Sequence, residues 1–152
     1  PVDNLSLLES GEPPAITSVH SENSKYEKSL LSDRQLENIH VELMKLMQNE
    51  KLYLTPELTL PMVSELLNVH PNTLSEVINR AEQKNFFDFI NTMRVEEFKE
   101  RVVKPENHNY TLLSIAHDCG FNSKTSFNRN FKNITGKSPS EYLKTIRITL
   151  NS

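Results

Sequence analysis

The sequence predicts an all-α fold: a seven-helix domain in which two helix-turn-helix units are joined by a long linker helix. Three observations carry this expectation. From Leu36 onward the apolar residues recur at helical spacing, with few strand-like alternations. Helix-start signals stand directly ahead of several of those apolar runs. Two stretches also echo one another, because Val63, Val69 and Leu74 return as Ile115, Phe121 and Phe127 at offsets of 52, 52 and 53.

In chain order, residues 1–31 hold Gly11-Glu12-Pro13-Pro14, scattered Ser and Asn, and no sustained apolar period, which predicts a flexible acidic linker. Ser32-Asp33-Arg34-Gln35 has the form of a capping box, in which hydroxyl and amide side chains satisfy free N–H groups at a helix start. Leu36, Ile39, Leu43, Leu46 and Met47 follow as one stripe and place that helix at about 34–49. A short helix near 60–67 starts at Thr59 and is expected to bury Val63, Leu66 and Leu67. Asn68-Val69-His70 makes a tight turn, and Pro71 suits the first position of the next helix, about 71–83. Leu74, Val77, Ile78 and Ala81 form its inward row.

The longest helix, about 86–103, opens after Asn85 and carries Phe86, Phe89, Ile90, Met93, Phe98 and Val102. Beyond a loop at 105–109, helices are expected near 112–118, 124–133 and 139–147. The last has a strong start signal in Ser138-Pro139-Ser140-Glu141. The domain therefore spans 32–147, with a first unit at 59–84, a linker helix at 86–103, a second unit at 111–137 and a tail at 148–152. Asn68 and Gly120 fall at the two turns, and both residue types tolerate the left-handed backbone such a turn needs. Ser64 and Ala116 are small where a second helix has to cross closely.

Apolar residues make up 36% of the 152, a share that suits a compact core with a polar extension. No run approaches the roughly 18 apolar residues of a membrane span. The single cysteine, Cys119, excludes an internal disulfide framework and suits a reducing compartment. The net charge of −3 argues at first against a polyanionic partner, but its distribution argues the other way. Residues 1–33 carry two bases and six acids, residues 34–103 eight and eleven, and residues 104–152 seven and three. A basic final third on an acidic chain points to a local anion-binding surface.

The second unit concentrates that charge. Phe127, Phe131 and Ile134 share one helical face, while Lys124, Asn128 and Lys132, with Thr125 and Arg129, line the other. Arg and Lys can donate to guanine O6 and N7, and Asn can pair with adenine N6 and N7. Ser123 and the helix N-terminus suit a phosphate oxygen. The first unit presents Asn72, Thr73, Ser75, Glu76, Asn79 and Arg80. Glu76 would repel phosphate unless it accepts from a cytosine amino group. The expectation is that the second unit supplies most of the electrostatic affinity and the first contributes sequence choice.

The stretch Ile115-Ala116-x3-Gly120-Phe121-x-Ser123-x3-Phe127-x-Arg129-x-Phe131-Lys132-x3-Gly136-x-Ser138-Pro139-x-Glu141-Tyr142 resembles the C-terminal signature of AraC/XylS-type transcription regulators. Leu58-Thr59-Leu60, Pro71-Asn72-x-Leu74-Ser75 and Ile90-Asn91-x2-Arg94-Val95 are similar to the first half of that domain. The stretches Ser75-Glu76-Val77-Ile78-Asn79 and Asn85-Phe86-Phe87-Asp88-Phe89-Ile90-Asn91 are similar in style to members from Bacteroidetes-type bacteria. The resemblance covers about residues 34–147. It implies two helix-turn-helix units entering successive major-groove segments on one face of double-stranded operator DNA. By position, it implies Asn72, Ser75 and Glu76 as recognition residues in the first unit, and Lys124, Thr125, Asn128 and Arg129 in the second. Ser64, Asn68 and His70 stand where alanine, glycine and a capping serine are common, and Leu143 stands where arginine is frequent. The implied setting is bacterial and cytoplasmic, with tethering to a membrane sensor as one arrangement. The implied partners are RNA polymerase and a sensor or dimerisation domain upstream or in another protein. Activation is the commoner outcome among the proteins it resembles.

No cofactor, metal or small-molecule site is expected. His117-Asp118-Cys119 has side-chain types used by enzymes, but neighbours on a helix point in different directions and give no nucleophile–base pair. Histidines at 20, 40, 70, 108 and 117 show no zinc-ligand spacing. Arg94, on the linker helix, reads as a structural tie to a neighbouring unit. The rival class is a helical protein-interaction module without DNA binding, which would lack the steep salt dependence of a DNA reader.

Overall fold

The computed structural model describes residues 33–150, in which seven α-helices and two short 3-10 turns occur and no strand is present among the described residues. The linker at 1–31 and the hydroxyl of Ser32 in the expected capping box lie outside them. The helices are α1 (33–49), α2 (Leu60–Leu67), α3 (Pro71–Glu82), α4 (Phe86–Val102), α5 (Leu112–Asp118), α6 (Lys124–Thr135) and α7 (Pro139–Leu150). The described residues from Ile39 onward form one compact unit. Within it α2 packs on α3, α5 on α6, α6 on α7, and α4 against α3, α5 and α6.

Two cores flank α4. The first gathers Leu43, Met47, Tyr53, Leu58, Val63, Leu74, Ile78, Phe86, Phe89 and Ile90. The second gathers Val95, Phe98, Val102, Ile115, Ala116, Cys119, Phe121, Phe127 and Phe131. The first turns of α4 thus serve one core and its last turns the other. In the second core Phe98 lies 4.9 Å from Phe127 and 5.5 Å from Phe131, ring centre to ring centre, in the tilted and edge-on geometries that aromatic quadrupoles favour.

Several expectations need correction. Leu66 is 61% exposed: the inward face of the two-turn α2 is taken by Val63, Ser64 and half-buried Leu67, and Leu66 joins Met62 on the outer row. Ala81 is exposed as well, because α3 stops at Glu82 and a one-carbon side chain in this last turn does not reach the core. Helix α6 runs to Thr135, and α7 continues to Leu150, into the stretch expected to be a tail. The 3-10 turn Leu52–Leu54, entered through Lys51 at φ 48°, has no counterpart among the elements that periodicity predicts. Its lysine adopts a left-handed conformation that non-glycine residues visit rarely.

The expected structural role of Arg94 is met. Its Nε donates to the carbonyl of Tyr53 at 2.8 Å, its Nη2 to that of Thr55 at 2.9 Å, and its Nη1 to Asn91 Oδ1 at 3.1 Å. One turn on, the buried Glu97 accepts from Tyr53 Oη at 2.9 Å, Arg101 Nε at 2.8 Å and Lys51 Nζ at 3.3 Å. Burial by itself would raise the Glu97 carboxyl, but the hydrogen bonds from Arg101, Tyr53 and Lys51 outweigh it and hold the group below the usual carboxylate range. A carboxylate depressed on folding stabilises fully above its unfolded pKa of about 4.3, and that contribution is lost as pH falls through the folded value. Glu97→Gln should therefore cost about 2 kcal/mol at neutral pH, less than a fully desolvated pair because Lys51 and Arg101 keep contact with water. It should also flatten the acid limb of stability below about pH 4.3, read as denaturation midpoint against pH.

Candidate nucleic-acid interface

The two turns that set the candidate recognition helices are built alike. After α2, Asn68 sits at φ 55°, its N–H donates to Glu65 O at 3.1 Å, and the Val69 N–H donates to Ser64 O at 3.0 Å. After α5, Gly120 sits at φ 106°, its N–H donates to His117 O at 3.0 Å, and the Phe121 N–H donates to Ala116 O at 3.2 Å. Each bond has its counterpart 52 residues along, the offset of the apolar echo. The left-handed residue reverses the chain, and the backward bonds satisfy carbonyls freed at the helix end.

Each of the four helices in these units has a side-chain N-cap. Thr59 accepts from Met62 N, Thr111 from Ser114 N at 3.0 Å, and Ser123 from Ser126 N at 3.1 Å. On α3 the cap is His70, whose Nδ1 accepts from Asn72 N at 3.0 Å. Imidazole thus fills the role of a hydroxyl, provided Nδ1 is the unprotonated nitrogen. Ser64, buried at the helix crossing, has its hydroxyl satisfied by Pro61 O at 2.9 Å.

On α6, Phe127 and Phe131 are buried, while Lys124, Thr125, Asn128, Arg129 and Lys132 are all exposed. Among the described residues none of these five side chains is held in a hydrogen bond or ion pair. Ser123 is exposed too, and its hydroxyl oxygen is engaged as the cap. Asn130, which looks equivalent in sequence, is half-buried and donates to Ser126 O on its own helix at 2.8 Å. The stripe is therefore a cationic row with amide and hydroxyl groups between the charges.

Helix α3 presents a different face. Asn72, Glu76, Asn79 and Arg80 are exposed, and Thr73 and Ser75 are half-exposed. Glu76 Oε2 lies 3.6 Å from Arg80 Nη1, so the negative charge is partly offset on its own helix. The pairing of Glu76 is not among the expectations from the chain, although its i, i+4 spacing to Arg80 is the signal that could have revealed it. The i, i+4 spacing of Glu97 to Arg101 is equally legible in the chain, but the burial of Glu97 is not.

The His117-Asp118-Cys119 triplet separates as expected. His117 and Asp118 are exposed, whereas Cys119 is buried in the second core. Burial pushes its thiol up to about 12, which leaves negligible thiolate at neutral pH. Among the described residues no group of three His, Cys, Asp or Glu stands where a metal ion could be held, and no helix is long and apolar enough to cross a membrane.

Comparison with known proteins gives a consistent picture. A helix-turn-helix domain family matches residues 63–145, more than half of the chain, covering the first unit from Val63 onward and the whole of the second. The uncharacterized HTH-type transcriptional regulator YijO of Escherichia coli is 31% identical over 85 residues, covering 56% of this chain and 29% of its own length. The chain thus spans less than a third of that relative. The C-terminal domain of AraT, a response regulator from Geobacillus stearothermophilus, superposes with a TM-score of 0.55 at 26% identity, over 72% of this chain and 84% of that one. The C-terminal domain of the two-component response regulator yesN from Fusobacterium nucleatum gives 0.56 at 26% identity, over 65% and 95%. With its paired turns, its shared linker helix and this match across both units, the chain belongs to the AraC-type helix-turn-helix family of DNA-binding transcription regulators.

Proposed function

We propose that this domain reads double-stranded operator DNA with α3 and α6 in two adjacent major-groove segments, about one helical turn or ~34 Å apart. The observation that carries the reading is the exposed row Lys124, Thr125, Asn128, Arg129 and Lys132, unpaired among the described residues, on a helix whose turn is duplicated 52 residues earlier. Lys124 and Lys132 neutralise phosphates, Asn128 and Arg129 present hydrogen-bonding groups to base edges, and Thr125 offers a methyl group to thymine. The Ser123 hydroxyl can still donate its proton to a phosphate oxygen while its lone pair caps the helix. On α3, Asn72, Thr73, Ser75 and Asn79 supply readout. The Glu76–Arg80 pair offers either an acceptor for a cytosine amino group or a donor for guanine.

In this reading the domain is the output element of a larger or partnered signalling system in the bacterial cytoplasm. The two response-regulator C-terminal domains that share its fold support that assignment. Signal reception belongs to an upstream sensor or dimerisation region or to a second protein. RNA polymerase is the partner through which DNA occupancy changes transcription, with activation the expected sign.

The test is selection of random duplex DNA by the full chain at two salt concentrations, followed by sequencing of the bound pool. Two short enriched blocks about ten base pairs apart, retained less well at the higher salt, are expected. Binding without enrichment would leave only the electrostatic part of the proposal standing. No salt-sensitive binding at either concentration would sink it and favour an interaction module.

A further inference from the structure

A single helix shared by two units fixes their separation along its axis but leaves their rotation about it to other contacts. The segment 51–55 supplies such contacts. Tyr53 is buried in the first core, and Leu54 packs against both. The backbone of this segment lies directly against the turn of the second unit: a β-carbon on Gly120 would stand 2.6 Å from Tyr53 O and 3.2 Å from Leu54 O. Both charged side chains that hold the segment come from the middle of α4. Arg94 takes the carbonyls of Tyr53 and Thr55, and Glu97 takes the Tyr53 hydroxyl and the Lys51 ammonium. The Arg94 guanidinium also lies over the ring of Phe121, in the second core, at 5.9 Å. One side chain therefore touches the first unit's entry segment and the second unit's turn at once, without belonging to either recognition helix.

Resting on the two-helix reading above, we infer that Arg94 and the 51–55 segment set the angle between α3 and α6, and so fix which spacing of two DNA blocks the domain accepts. Arg94 is a positioning residue: it acts on the DNA only through the placement of the two helices. A guanidinium suits this role because its planar fork holds two carbonyls in one geometry while its face remains free to stack; an ammonium group has no such plane.

The test uses duplexes carrying the two blocks selected by the wild-type chain, at the selected spacing and with one base pair added or removed. Arg94→Lys keeps the charge and loses the fork, while Tyr53→Phe removes only the hydroxyl that reaches Glu97. The preference for the selected spacing should fall at least ~3-fold in Arg94→Lys, and in the same direction but less in Tyr53→Phe. Affinity for a duplex with a single block should stay at the wild-type value. A merely structural role would lower the thermal midpoint and shift all duplexes equally. A spacing preference equal to wild type in both variants overturns the inference, as does a wild-type chain that reads two blocks with no preference for their separation. Should Arg94→Lys fail to fold, Tyr53→Phe decides. A wild-type chain that selects no two-block motif sinks the underlying reading and this inference with it, and is seen before any variant is made.

Discussion

Gly120→Ala should destabilise the fold by about 4 kcal/mol, lowering the thermal midpoint by roughly 15 °C. The cost has two sources. At φ 106° an L-residue is strained whatever space surrounds it. The added methyl would also stand 2.6 Å from Arg94 Nε and 2.6 Å from Tyr53 O, two atoms joined by a hydrogen bond of their own. Neither can retreat cheaply, since one is backbone and the other is held by that bond. Gly136 is the control. It sits at φ 83° with nothing within 4 Å of its would-be β-carbon, so alanine there meets only backbone strain and should cost ~1–2 kcal/mol. Thermal or denaturant unfolding of the two variants separates the contributions. Equal losses would mean that the packing of Gly120 against Arg94 and Tyr53 contributes nothing.

On the DNA side the largest single effect is expected at Arg129. Its replacement by alanine should weaken binding to the selected duplex by ~1–3 kcal/mol, or about 5- to 150-fold, and reduce the slope of log affinity against log salt by roughly one. Arg129 is exposed and makes no ion pair among the described residues, so its full charge is available to the duplex. Ser75→Ala should leave the salt slope unchanged and relax base preference in one block, because a half-exposed hydroxyl on a helix with an internal ion pair adds no net charge. Titrations over a salt series decide the matter. Similar losses and similar slopes for both variants would contradict the division of labour between α6 and α3.

Much of this architecture is legible in the chain because its signals are local. Thr59, Thr111, Ser123 and Ser138 are polar caps directly before apolar periods, and each accepts the hydrogen bond that its position implies. The left-handed turns at Asn68 and Gly120 are marked by residue type. The exposed row of α6 follows from the burial of Phe127 and Phe131 on the opposite side. What periodicity misjudges lies where tertiary packing decides. Leu66 and Ala81 have helical spacing to core residues, but one sits on the outer row of a two-turn helix and the other in a final turn beyond the core. The linker helix gives no clean apolar stripe because its two halves face two cores. The 3-10 turn Leu52–Leu54 carries no local signature, and the Glu97 cluster carries only the i, i+4 spacing of Glu97 to Arg101. A buried carboxylate becomes visible only once Lys51, Tyr53 and Arg101 are seen to converge on it. The histidine cap on α3 is hidden for another reason: His70 stands where a serine is common, and its acceptor atom is a ring nitrogen.

Whether α3 and α6 read two neighbouring major-groove segments from one side of the duplex is decided by hydroxyl-radical footprinting of the full chain on its selected duplex. Two protected patches of sugar–phosphate backbone, centred about ten base pairs apart on the same face, are the predicted result. A single patch, or two patches half a turn out of phase, would contradict it.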